Sequence, residues 1–199
     1  PAHRLGRAEA RHLIAEQLAH RLDLLHVVDV AAHLVGRQRD LFRQVYADVE
    51  RGNWAVVDAL NDDEREALED YILYPDLRAA WLRATLTNAD HDDIESFLDR
   101  NGVLKPAREL RYRYALHLAG ENRLGEFLAI YQQYYQGLGI ARLDCLALQA
   151  ELEAGRDKRI VYRGIELWLV GRSQVRECDP VFANLQTRNI LTKEHYAER

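Results

Sequence analysis

Eight histidines, two cysteines and several runs of carboxylates are the side chains here with reactive chemistry. The histidines are His3, His12, His20, His26, His33, His91, His117 and His195. No two of them stand in a His-Glu-x-x-His pair, which would place both rings on one helix face toward a metal. They read as surface or hydrogen-bonded histidines, and no metal site is expected. Cys-x-x-Cys is absent, as are a glycine-rich phosphate loop and a Gly-x-Ser-x-Gly elbow. No cofactor is expected either. Acid–base catalysis needs a carboxyl in an apolar pocket. Asp62-Asp63-Glu64, Asp92-Asp93 and Glu151/Glu153 look instead like helix starts and solvated faces, where acid near an N-terminus is favoured.

Two further sets keep alternatives open. Cys145 and Cys178 are two buried thiols in a reducing compartment or one disulfide in an oxidising one. Tyr112, Tyr114, Tyr131, Tyr134 and Tyr135 offer rings that stack on sugars or on a partner. Their helical spacing favours a place in the core.

The elements that must position these residues are helices. Leu41, Phe42, Val45, Tyr46 and Val49 recur with the helical period, as do Leu124, Phe127, Leu128, Tyr131, Tyr134 and Tyr135. Ile160, Val161, Ile165, Trp168 and Leu169 form a third such stripe. No segment alternates with a strand's period of two for more than a few residues. Breaks punctuate the pattern: Gly52-Asn53, Tyr74-Pro75, Asn101-Gly102, Gly120, Gly155 and Asp179-Pro180. Asp90 reads as the cap of the helix carrying Ile94, Phe97 and Leu98, and Pro106 as a first-turn proline. Gly52, Gly120 and Gly155 lie 68 and 35 residues apart, near two and one units of a 34-residue repeat. Gly125 and Gly164 fall inside helical stripes, where a glycine is useful only if it permits close helix contact. The expectation is an all-α fold, a right-handed superhelix of stacked antiparallel helix pairs of the tetratricopeptide kind.

Composition narrows the partners. With 199 residues, 48% hydrophobic and 30% charged, the chain is that of an ordinary folded protein. A net charge of -5 and a pI near 5.9 argue against nucleic acid as a main partner. No stretch approaches the ~18 apolar residues of a membrane span. The chain opens on Pro1 and contains no methionine, which predicts a processed protein or a piece of a longer one.

Three segments carry a resemblance. Asp70-Tyr71-Ile72-Leu73-Tyr74-Pro75-Asp76-Leu77 is similar to a Tyr-x-Leu-Tyr-Pro-x-Leu run, and Leu104 to Leu110 contains a Pro-Ala-Arg lead-in to a helix. The most specific spans Leu167 to Phe182, with Trp168, Gly171, Ser173, Gln174, Cys178, Asp179 and Phe182 in place. It resembles Leu-Trp-Leu-x-Gly-x-Ser-Gln-Pro-x-x-Cys-Asp-x-Leu-Phe, with Val175 and Val181 where proline and leucine are usual. These residues, Tyr74 and Pro75 included, resemble the N-terminal superhelical domain of the soluble lytic murein transglycosylases.

The resemblance covers residues 38–199 and leaves residues 1–37 as a segment of unknown role, expected to be helical. It implies a periplasmic protein whose family cleaves the MurNAc–GlcNAc β-1,4 bond of peptidoglycan to leave 1,6-anhydro ends. It also implies a Cys145–Cys178 disulfide. The family's catalytic residue lies in a lysozyme-like domain bearing Glu-Ser and Gly-Leu-Met-Gln. Glu95-Ser96 is not followed by the second motif, so no catalytic residue is assigned. The implied role is a non-catalytic scaffold whose partners are glycan strands, met through the parent enzyme, and the catalytic domain. A free-standing α-solenoid adaptor for a peptide or protein is the rival reading.

Overall fold

The computed structural model describes the backbone of residues 7–198 and the side chains of residues 29–156 and 160–198. The side chains of His3, His12, His20 and His26 lie outside the described residues. Among the described residues every regular element is a helix, in agreement with the all-α expectation. In chain order they are α1 (Arg7–Glu50), α2 (Ala55–Asp58), α3 (Asp62–Glu69), α4 (Tyr74–Ala84), α5 (His91–Asn101) and α6 (Lys105–Gly120). There follow α7 (Leu124–Tyr134), α8 (Ala141–Glu153), α9 (Asp157–Trp168), α10 (Asp179–Thr187) and α11 (Lys193–Glu198). A 3-10 turn, Arg176–Cys178, precedes α10.

Local chemistry sets the boundaries. Asn61 accepts from the Glu64 amide at 2.9 Å while the Glu64 carboxylate accepts from the Asn61 amide at 3.1 Å, a reciprocal cap that starts α3. Asp90 caps α5 through the Asp92 amide at 3.1 Å. Pro75, Pro106 and Pro180 all sit in first turns, where their missing N–H costs nothing. Gly155, with φ of 70°, ends α8 in the left-handed conformation that lets the chain reverse. Gly120 ends α6, where the sequence places a break. The reversal is made by Asn122, with φ of 60°. Asparagine tolerates that region through local side-chain hydrogen bonding. Trp54 stands at the cap position of α2, and its side chain makes no capping bond.

The chain divides into two compact units, Pro1–Trp81 and Leu82–Arg199. In the first, Phe42, Val45 and Val49 of α1 pack with Leu68 of α3 and Leu77 of α4, joined by Tyr46, Tyr71 and Tyr74. The helix α1 runs unbroken through residue 37. In the second unit each helix from α5 to α10 packs on its neighbour in sequence, and α8 also meets α10. Short turns between such neighbours make stacked antiparallel pairs. Ile94, Leu110, Tyr114, Leu118, Phe127, Leu143 and Ile160 are wholly buried there.

Candidate functional site

The motif-bearing turn between α9 and α10 is a built structure. Trp168 ends α9, 4% exposed, with its ring edge-on to Phe182 at 5.2 Å and to Tyr196 at 5.3 Å. Its indole N–H donates to the His195 carbonyl at 3.0 Å, so the one polar atom of a buried ring is satisfied. Gly171, with φ of 72°, turns the chain back after α9. Ser173 is exposed and Gln174 half-buried beyond it. The 3-10 turn then delivers Cys178, and Asp179 and Pro180 open α10.

Cys178 is bonded to Cys145 of α8, with an S–S distance of 1.99 Å and Cα atoms 4.9 Å apart. Both cysteines are wholly buried, in one cluster with Trp168, Phe182, Leu185 and Leu191. Two polar braces flank the bond: Gln149 donates to the Glu177 carbonyl at 2.5 Å, and Arg142 pairs with the Glu177 carboxylate at 2.6 Å. Sequence patterns did not single out Gln149, Arg142 or Glu177, because nothing in their spacing ties α8 to the turn.

Of the motif residues, Trp168, Cys178 and Phe182 are thus brought together with Cys145. Tyr74 and Pro75 belong to the other unit, where Tyr74 packs on the α1 cluster and Pro75 opens α4.

A second concentration of polar groups joins α5, α6 and α7. The His91 ring nitrogen Nδ1 lies 3.0 Å from the Tyr114 hydroxyl, and that hydroxyl lies 3.4 Å from Glu95 Oε1. The Arg123 guanidinium meets His91 Nε2 from the other side. A guanidinium only donates. His91 Nε2 therefore accepts, Nδ1–H donates to Tyr114, and Tyr114 donates to Glu95. Burial first, and the nearby Glu95 carboxylate second, push the Tyr114 phenol above its ordinary range. His117 stacks on His91 with ring centres 6.3 Å apart and lies 3.3 Å from Glu121. His91 and His117 are engaged in this cluster, His195 accepts from the Thr192 amide at 3.0 Å, and no group of His, Cys, Asp or Glu among the described residues has metal-ligand geometry.

The tyrosines divide. Tyr114 and Tyr131 are core residues, and Tyr131 donates to the buried Asp144 carboxylate at 2.7 Å. Tyr112 and Tyr135 meet edge to face at 6.3 Å. Tyr134 is 40% exposed, and the Arg111 guanidinium lies 3.9 Å over its ring.

The helical fold recurs in known proteins. No model of a protein family matches the chain. The soluble lytic murein transglycosylase of Escherichia coli (strain K12) is 28% identical over 192 residues, 96% of this chain. Among solved structures, an inactive mutant of the lytic transglycosylase Slt from Pseudomonas aeruginosa is 33% identical, with a TM-score of 0.69 over 80% of this chain. The chain is a relative of the soluble lytic murein transglycosylases. The crystal structure of the 70-kDa soluble lytic transglycosylase from Escherichia coli superposes with a TM-score of 0.68 over 83% of this chain, at 26% identity. The chain spans 29% of the length of that transglycosylase's sequence from strain K12, and 25% and 26% of the two solved transglycosylase chains. No helix among the described residues is long and apolar enough to cross a membrane.

Proposed function

We propose that this chain is the non-catalytic helical scaffold of a periplasmic lytic transglycosylase. The parent enzyme cleaves the MurNAc–GlcNAc β-1,4 bond of peptidoglycan to give 1,6-anhydro ends. The observation that carries the reading is the Cys145–Cys178 staple, set in the Trp168–Phe182 turn that matches the family's most specific motif. A buried disulfide suits the oxidising periplasm. Glu95 and Ser96, the only Glu-Ser pair, are exposed on α5 and engaged with Tyr114 and Arg100 respectively, which supports a structural role for both. The scaffold's contribution is to hold a long substrate and a catalytic domain in register, an effect of orientation.

Two measurements test this. The purified chain should co-sediment with murein sacculi and release no 1,6-anhydro products from them. Linked to a lysozyme-like transglycosylase domain, it should raise that domain's turnover on long strands over short ones. Release of products by the chain alone would make it an enzyme. Failure to sediment, with no effect on the linked domain, would favour a free-standing adaptor.

A further inference from the structure

A groove of about 560 Å³ lies across α4, α6 and α8 within the second unit. Its volume falls in the roughly 300–1,000 Å³ range of small-ligand sites. Five cations line it: Arg83 at the end of α4, Lys105, Arg108 and Arg113 on α6, and Arg142 at the start of α8. Lys105, Arg108, Tyr112 and Arg113 follow one another at helical spacing, so α6 presents them on one face. Because neighbouring helices from α5 to α10 run antiparallel, α6 and α8 are alternate members of the stack, and Arg83 reaches the same surface beside Glu109 and the Pro106 carbonyl.

The charge there is opposite to that of the whole chain, whose net is -5. Glu109 is the one carboxylate lining the groove, 3.6 Å from Arg83 and 3.7 Å from Lys105. Arg142 pairs with Glu177. Arg108 and Arg113 are exposed and have no carboxylate partner among the described residues. Keeping uncompensated guanidinium groups together costs self-repulsion, which an anionic ligand relieves. Guanidinium forks match carboxylates two bonds at a time.

We infer that this groove binds the carboxylates of murein's short peptides. The inference rests on the proposed murein-binding role, and it names which part of the polymer the scaffold holds. N-acetylated sugars are neutral, and a muramic acid lactyl group joined to peptide has lost its charge. The negative charge of the polymer therefore sits on the peptides. Tyr112, half-buried in the groove wall beside Leu116, gives the aliphatic part of a peptide an apolar surface.

Titration calorimetry with the intact chain and a free stem tetrapeptide tests it. Binding should weaken as ionic strength rises. Arg108→Glu/Arg113→Glu should weaken it by at least about tenfold, since two attractive contacts become repulsive. Circular dichroism would confirm that this exposed pair leaves the fold intact. Loss of binding when the peptide carboxylates are amidated is also expected. No binding at millimolar peptide, an unchanged affinity in the double variant, equal binding of the amidated peptide, or equal binding of an oligonucleotide would overturn the inference. Sedimentation with sacculi separates the two readings. If the chain sediments but ignores the peptide, only the groove assignment fails. If it binds the peptide but not sacculi, the scaffold role fails instead.

Discussion

Two junctions in the second unit hold neighbouring helices by different physics. Between α8 and the turn before α10 the join is covalent and dry: a disulfide buried among Trp168, Phe182, Leu185 and Leu191. Among α5, α6 and α7 it is polar: Arg123, His91, Tyr114 and Glu95 in one directed chain of hydrogen bonds, with His117 and Glu121 alongside. The covalent junction acts mainly by limiting the unfolded chain and responds to reductant. The polar junction acts in the folded state, where each bond contributes little net and only Tyr114 among its members is fully buried. The difference locates where each condition should act: redox at one end of the stack, pH in its middle.

The largest effect should come from the aromatic side of the covalent junction. Trp168→Ala removes a ring packed on Phe182 and Tyr196 and orphans the His195 carbonyl. A loss of about 3–5 kcal/mol, read by denaturant unfolding, is expected. Next comes the disulfide. The two cysteines are 33 residues apart, and closing a loop of that size stabilises by about 3–4 kcal/mol in the chain-entropy argument. Reductant should therefore lower the melting temperature of the native chain and leave Cys145→Ser/Cys178→Ser unmoved. A melting temperature indifferent to reductant would mean that packing alone holds this junction.

The polar junction should yield less. Tyr114→Phe keeps the buried ring and removes the hydroxyl between the solvent-reached His91 and Glu95, at an expected cost of about 0.5–1.5 kcal/mol. A loss equal to that of the disulfide would erase the contrast. The pH response follows from the raised Tyr114 phenol, whose ordinary value is 10.0. The fold favours the neutral phenol, so its stabilising share is complete below pH about 10 and declines as pH rises above that value. Stability should fall across that alkaline range, and the fall should be shallower in Tyr114→Phe. The disulfide predicts no such slope.

The covalent junction was far more legible in the sequence than the polar one. Trp168, Gly171, Cys178 and Phe182 lie within one continuous run, and helix breaks at proline and glycine are local signals that survive without coordinates. Cys145 could be paired with Cys178 only through the family resemblance, since two cysteines alone fit either redox state. His91 and Tyr114 lie on α5 and α6 and Arg123 just before α7, and no spacing rule links them. In the sequence His91 reads as a surface or hydrogen-bonded histidine and Tyr114 as a core residue, each on local grounds. The basic groove was hidden for the same reason: Arg83 and Arg142 join the α6 cations only once the helices pack, while the overall charge is negative. At the end of α6 the glycine signal marks the last helical residue, Gly120, while the left-handed reversal falls on Asn122.

The smallest effects concern two glycines that look alike in sequence. Each lies inside a helical stripe, and a helix-interior glycine costs roughly 1 kcal/mol relative to alanine. At Gly125, exposed in the first turn of α7, an added Cβ would meet nothing within 4 Å. Gly125→Ala should stabilise by about 0.5 kcal/mol, since a first-turn site recovers only part of the propensity gain. At Gly164 of α9 the same Cβ would lie 3.0 Å from Leu185 Cδ1 and 3.3 Å from Val181 Cγ1 of α10. Both neighbours are wholly buried, and Leu185 belongs to the disulfide cluster, so neither has free space to yield into. Gly164→Ala should therefore destabilise by about 1–2 kcal/mol, the overpacking cost outweighing propensity. Paired melts of the two variants read opposite signs if α9 meets α10 as closely as the covalent junction requires. Equal gains would mean that the helices can separate, and that the disulfide tolerates slack.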